Sequence, residues 1–504
     1  GYITTPIFSK RMHHHFFSDI NRNKLFNYLL QNMETERNML MLDELHTYLQ
    51  DKKTKMVLYT YDSLLFDYNV EDGKETIQEI NEGGKLEGTT IIDATGKCVF
   101  PGFIDPHVHI HLPFMGTNAI DDHASATKAA LVGGTTTIIE MICPGPDDEP
   151  ADAFAEWKTL AEEGACSDYS FHLAVVRFDD IAKKQLRELV SNEGVQSFKI
   201  FLAYKGALDI GDENLFDLMQ LCVELGVVLT AHCENAEAID LMQKKLLAAG
   251  KTGPEWHEPS RPICVEADGV NHLCAFAELT GASVYIVHTS CGIAIDRAIE
   301  ARGRGVDVTV EAVAPHLVLD KTYAERADFK GAKFVMSPPL RDKVEHDALW
   351  NGLASGAVST IGTDHAPFSF REQKTMGTDA FTLIPNGIPS IQERIDLVHT
   401  FGVCTGKIDL QTMVDTCSSN VAKNFSMYPR KGALAVGSDA DVVVYDTEFV
   451  GIFKHEDGLS NIDYSGYEGL ERRGRADTVL LRGKVVAEQG KFVGRAGAGK
   501  YISR

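Results

Sequence analysis

Two histidines one residue apart close an apolar run, Gly102-Phe103-Ile104-Asp105-Pro106-His107-Val108-His109. Side chains alternate faces along an extended strand, so His107 and His109 project the same way. Two imidazoles side by side at a strand end make half of a metal site, and imidazole suits zinc and related ions. Three more residues of ligand type stand at the ends of similar runs: His232 in Thr230-Ala231-His232-Cys233, His288 in Ile286-Val287-His288-Thr289, and Asp364 in Ile361-Gly362-Thr363-Asp364-His365. Lys199 lies inside Ser197-Phe198-Lys199-Ile200-Phe201-Leu202. Desolvation there lowers an ammonium's pKa. A neutral amine can combine with CO₂ to give a carbamate, whose two oxygens can bridge two cations. One strand-end histidine is ordinarily structural, and a lone lysine of this kind is ordinarily ion-paired. Four histidines and an aspartate at the ends of comparable runs, with Lys199 inside another, are read together as a metal centre.

The elements that must position them alternate. Apolar or β-branched runs occur at Gly102–His109, Thr135–Met141, Tyr169–Val176, Val195–Leu202, Val227–Cys233, Ser283–Thr289, Val306–Val313 and Ala357–Asp364, with helix-like segments such as Leu215–Leu225 and Val270–Leu279 between them. Eight strands alternating with helices predict an α/β fold of the (β/α)₈ barrel type, whose reactive groups gather at the C-terminal strand ends. An open doubly wound sheet is the alternative. Short strand signals before the barrel (Met56–Tyr59, Thr89–Ile92, Cys98–Phe100) and after it (Ala440–Tyr445, Thr478–Val486) predict a small β domain built from both ends of the chain. Residues 1–55 read as an extension of unknown role, with helical spacing from Leu25 to Leu49. His13-His14-His15 is too short a tract to argue metal binding.

A net charge of −23 over 504 residues argues against nucleic-acid or anionic-membrane partners. The ten cysteines include no CxxC pair, so reduced thiols and a cytoplasmic location are expected. Gly494-Arg495-Ala496-Gly497-Ala498-Gly499-Lys500 has the spacing of a phosphate-binding loop. Tyr501 replaces the required Ser or Thr, and no room for a helix follows, so that reading is rejected.

The chain resembles the dihydropyrimidinase/hydantoinase family of the amidohydrolase superfamily over about residues 85–500. The resemblance rests on Phe103–His109, Leu112–Thr117, Gly133–Thr137, Phe198–Lys205, Ala231–Ala236, Ser337–Arg341, Gly362–Pro367 and Ile384–Pro389. It implies a metal-dependent barrel at 105–429 and a small β-sandwich domain from 56–104 and 430–490. It also implies a tail at 491–504 that reaches a neighbouring subunit, and a homotetramer. The expected centre holds two divalent ions, usually zinc. His107, His109 and Asp364 would bind one ion and His232 and His288 the other, with Lys199 carbamylated as N6-carboxylysine between them. Asp364 would carry the proton, Tyr204 would donate to the oxyanion, and Ser337 and Asn386 would read the substrate.

The implied activity is opening of 5,6-dihydropyrimidines to N-carbamoyl-β-amino acids, as in pyrimidine catabolism, and of hydantoin analogues. Phe114, Met115, Phe201 and Tyr204 are expected to line the pocket for the ring substituent. Allantoinase is the nearest alternative, and a non-catalytic scaffold relative is a second. The scaffold reading is disfavoured because every expected ligand is present. His111 continues the alternation of His107 and His109 and is expected to approach the site, whereas dihydroorotase-like relatives carry an arginine there. His365 is expected to face away from it.

Overall fold

All eight runs become strands of a parallel barrel in a computed structural model of the chain. The structure describes residues 2–4, 11–13, 55–60, 63–67, 92–435 and 437–504. The barrel strands are Phe103–Val108, Thr135–Ile142, Asp168–Ala174, Ser197–Phe201, Val228–His232, Val284–Ile286, Val308–Val313 and Thr360–Gly362, hydrogen-bonded in chain order. The first four are buried at every position, as expected of strands covered on both faces.

The ring closes where the first strand meets the chain leaving the eighth. Asp364 N–H donates to His107 O at 2.9 Å, and His109 N–H donates to His365 O at 2.8 Å. Arg394, fully buried, crosses this seam: its Nη1 donates to Ile104 O at 2.8 Å and to Ile361 O at 2.7 Å.

The helices between strands follow ordinary rules. Asp180–Glu193 starts where the Asp179 carboxylate accepts from Ala182 N–H at 2.9 Å, and it stops at Gly194, which takes the left-handed φ of +71°. Ala182, Leu186 and Leu189 are its buried residues, spaced to share one face. Each leucine so buried contributes about 1.5–3 kcal/mol.

Cys98–Pro101 joins Val442–Ile452, Glu471–Leu481, Lys484–Glu488 and Lys491–Phe492 in a five-stranded antiparallel sheet. Both ends of the barrel segment therefore contribute to it, with Val443 opposite Phe100. The hairpin between Leu481 and Lys484 turns on Arg482 and Gly483, at φ +47° and +77°, the geometry a two-residue turn needs to match strand twist. Residues 499–504 run along their own barrel: Ile502 N–H donates to Tyr169 O at 2.7 Å and Lys500 N–H to Asp168 Oδ1 at 2.9 Å. The rejected phosphate loop thus leads into a strand-like tail.

The chain divides into two units between Gly96 and Lys97, and the first is described only at its strands and at residues 92–96. Within it Tyr2–Thr4 pairs with Arg11–His13, and Lys55–Thr60 pairs with Ser63–Asp67, both antiparallel. The expected helical stretch 25–49 and the strand residues 89–91 lie outside the described residues. All ten cysteines are free. No helix among the described residues is long and apolar enough to cross a membrane.

Candidate metal centre

Every residue named from the sequence as a metal ligand, proton carrier or substrate reader lines one cavity at the C-terminal end of the barrel. His107 lies in the first strand, Lys199 in the fourth, and His232 ends the fifth. His109, His288 and Asp364 stand one or two residues beyond the ends of the first, sixth and eighth strands, while Tyr204, Ser337 and Asn386 come from loops. The wall also includes Phe114, Phe201 and Cys143, and the cavity encloses about 480 Å³, its open mouth included. Met115 lines a neighbouring cavity that shares Tyr204 and Asn386 with the first.

The imidazoles of His107 and His109 converge on one carboxylate, each Nε2 lying 3.2 Å from Asp364 Oδ1. These three residues bring ligand atoms within 4.8 Å of one another, a spacing that one metal ion can span. The His288 ring centroid is 5.3 Å from that of His107 and 4.5 Å from that of His232. Lys199 is fully buried, with Nζ 5.0 Å from the Phe201 ring centroid.

Several buried nitrogens here have no hydrogen-bond partner: Nε2 of His107, whose 3.2 Å approach to Asp364 is not a hydrogen bond, Nδ1 of His109 and of His288, and Nζ of Lys199. Unsatisfied buried polar atoms are rare, and a cluster of them in one cavity fits a site made for cations. Electrostatics agree. Burial lowers the pKa of His109 and of His232, and that of His288 falls well below the ordinary value as burial and His232 act together, so the imidazoles are neutral donors. Burial pulls Lys199 down to about 8. Burial would raise Asp364, but His107 and His109 hold it at about 2, so it is a carboxylate.

Three of these residues adopt left-handed backbone angles: Tyr204 at φ +62°, His288 at +40° and Asp364 at +52°. Such conformations in non-glycine residues cost about 1–3 kcal/mol each and concentrate at functional sites. At Asp364 the turn removes the simple alternation past Gly362. His365 nonetheless faces away, with its Nε2 3.0 Å from Asp121 Oδ2 and its Nδ1 accepting from Ser390 N–H at 3.1 Å.

His111 departs from expectation. The first strand ends at Val108, and His111 has φ +56°. Its ring packs 5.1 Å from that of His123, and it is not part of the cavity wall. The expected alternation fails because the chain is no longer extended there.

The supporting acids did not stand out in the sequence. Glu311, fully buried in the seventh strand, accepts from His107 Nδ1 at 2.8 Å, from His288 N–H at 2.9 Å and, through Oε2, from the Tyr285 hydroxyl at 2.9 Å. This leaves Nε2 of His107 free to act as a ligand. Glu234 lies 2.7 Å from His232 Nε2 and pairs with Arg261. A glutamate inside the apolar run Val306–Val313 was the available signal, since a buried acid needs partners.

The sequence profile of the Amidohydrolase family matches residues 98–486. The D-hydantoinase of Geobacillus stearothermophilus is 40% identical over 438 residues, covering 87% of this chain and 93% of that protein. The dihydropyrimidinase of Rattus norvegicus is 38% identical over 424 residues, covering 84% and 82%. Among solved structures, the D-hydantoinase (dihydropyrimidinase) from Thermus sp. superposes with a TM-score of 0.81 at 52% identity, covering 83% of this chain and 91% of that one. With its barrel and relatives of this closeness, the chain belongs to the dihydropyrimidinase/hydantoinase family of amidohydrolases.

Proposed function

We propose that this protein hydrolyses the ring amide of cyclic ureides, with 5,6-dihydropyrimidines and hydantoins as its substrates. The observation that carries the reading is the cluster of partnerless nitrogens around Asp364 in one cavity. His107, His109 and Asp364 would hold one divalent ion, zinc in our reading, and His232 and His288 a second, with carbamylated Lys199 between them. Two such cations supply Lewis acidity, giving a water-derived nucleophile at neutral pH and a polarised carbonyl.

The residues divide the remaining work. Asp364, held as a carboxylate, takes the proton of the attacking water and passes it to the leaving ring nitrogen. The Tyr204 hydroxyl, kept protonated because burial raises its pKa, donates to the developing oxyanion. Asn386 and Ser337, joined by an Nδ2–Oγ hydrogen bond of 2.9 Å, read the polar edge of the ring. Phe114 and Phe201 shape the space for the substituent. The Geobacillus and Rattus relatives are named for hydantoin and dihydropyrimidine rings, and neither name points to allantoin.

The test is metal analysis of the purified protein alongside steady-state ring opening of dihydrouracil, hydantoin and allantoin. Bound metal with turnover of the first two supports the reading. Protein that stays inactive after zinc and bicarbonate are added refutes it. We further propose a cytoplasmic homotetramer; a mass measured in solution that differs from four chains would refute the oligomer.

A further inference from the structure

Lys374 opens the short turn Lys374–Gly377 in the loop after the eighth strand and is fully buried. Its Nζ donates to three main-chain carbonyls, Val335 at 2.9 Å, Pro385 at 2.6 Å and Gly387 at 2.7 Å. It has no ion pair among the described residues. Three acceptors match the three N–H groups of an ammonium, whereas a neutral amine offers only two. Burial works against the charge and pulls the pKa well down. A buried cation without a carboxylate is unfavourable, and here the carbonyls alone compensate it.

The carbonyls it gathers belong to two segments that carry substrate-reading residues. Pro385 and Gly387 flank Asn386, and Val335 lies two residues before Ser337. The same segments are tied by Gly387 N–H donating to Val335 O at 2.9 Å and by the Asn386–Ser337 side-chain bond. A trans peptide is planar, so turning the Pro385 carbonyl toward Lys374 turns the Asn386 N–H the opposite way. Gly387 sits at φ +149°, and a Cβ there would lie 2.2 Å from Ala366 O, so the segment packs too closely on Ala366 for any side chain.

We propose that Lys374 is a positioning residue for substrate binding. By gripping both carbonyls around Asn386, and the strand of chain leading to Ser337, it holds the main-chain groups that meet the polar edge of a cyclic ureide. The inference rests on the functional reading above. Orientation fixed before binding lowers the cost of binding, so its loss falls on affinity rather than on the chemical step.

Lys374→Met and Lys374→Gln in the metal-loaded enzyme test this. We expect Lys374→Met to raise KM for dihydrouracil by about ten-fold, with kcat within about three-fold of wild type and metal content unchanged. Lys374→Gln keeps two N–H donors and gives an intermediate KM. An unchanged KM in both variants overturns the inference, as does a loss of metal content together with kcat. Failure of both variants to fold also overturns it, because Lys374 would then serve the whole scaffold. A wild-type enzyme that opens no cyclic ureide ring overturns the functional reading and the inference with it. A wild type that turns over while Lys374→Met keeps its KM overturns the inference alone.

Discussion

Glu311→Gln tests the centre without touching a residue assigned to hold metal. Glu311 accepts from three donors, the His107 ring, the His288 amide and the Tyr285 hydroxyl. A glutamine can keep its carbonyl toward the first two and turn its amide toward Tyr285. That hydroxyl can accept the new bond and still donate to Thr360 Oγ1, 2.6 Å away. Geometry therefore survives and only the charge is lost. Outer partners of metal-bound histidines are worth about 10–100-fold in metal affinity, about 1.4–2.7 kcal/mol. We expect Glu311→Gln to weaken zinc binding by about that factor in a competitive chelator titration, with little change in the denaturation midpoint of metal-free protein. Glu311→Ala, by contrast, orphans the His107 ring and the His288 amide at ~1–3 kcal/mol each, while the Tyr285 hydroxyl keeps Thr360 Oγ1 as its acceptor, and lowers that midpoint clearly. Wild-type zinc affinity in Glu311→Gln, or a wild-type midpoint in Glu311→Ala, would refute the argument that this carboxylate orients His107.

Three other perturbations follow from the same structure. Lys199→Ala is expected to lose the second equivalent of metal and nearly all turnover, with partial rescue by short carboxylic acids; two bound metals and full activity without additive would end the bridging proposal. Arg394→Met removes the only charged group donating across the seam to both Ile104 O and Ile361 O among the described residues. It also leaves Asp105, whose Oδ2 lies 4.0 Å from Arg394 Nε, buried without its cation, so it should cost about 3–5 kcal/mol in urea unfolding, and a wild-type midpoint would contradict it. Burial pushes Glu234 up, but Arg261 and His232 lower it from 4.5 to about 2. Its contribution to stability is therefore complete above pH 4.5 and is lost as pH falls toward 2. The difference in thermal midpoint between wild type and Glu234→Gln should close over that window, and a constant gap would show that the ion pair is not its source.

The barrel was legible because its strands are short apolar runs ending in residues that rarely end such runs by chance. His107, His109, His232, His288 and Asp364 could be placed from that pattern alone, since strand ends of a barrel converge wherever the strands lie in the chain. What escaped is information carried by distance. Glu311 meets His107 across 204 residues, and Arg394 meets Ile104 across 290. Nothing local to either marks its partner. His111 could not be placed from the sequence because a left-handed residue breaks an alternation that the residue types alone would continue. The left-handed angles at Tyr204 and His288 were equally invisible, since they are uncommon in any non-glycine residue and nothing adjacent marks them. Of the small sheet, the strands themselves were legible as apolar runs at Cys98–Phe100 and Ala440–Tyr445, but their register, with Val443 opposite Phe100, was not.

The join between the first and eighth strands has a consequence for how the molecule breathes. The main chain there is held by bonds from Asp364 to His107 and from His109 to His365, and the side chains of His107, His109 and Asp364 converge on the same spot. An ion bound there is bound only while the ring stays shut. Binding at about a thousand-fold excess over Kd adds about 4 kcal/mol to the closed form. Removing the ion should therefore speed amide hydrogen exchange at Asp364 and His109 first, while strands on the far side of the barrel exchange as before. On the proposed reading, the same few residues would serve as metal ligands and as fastener.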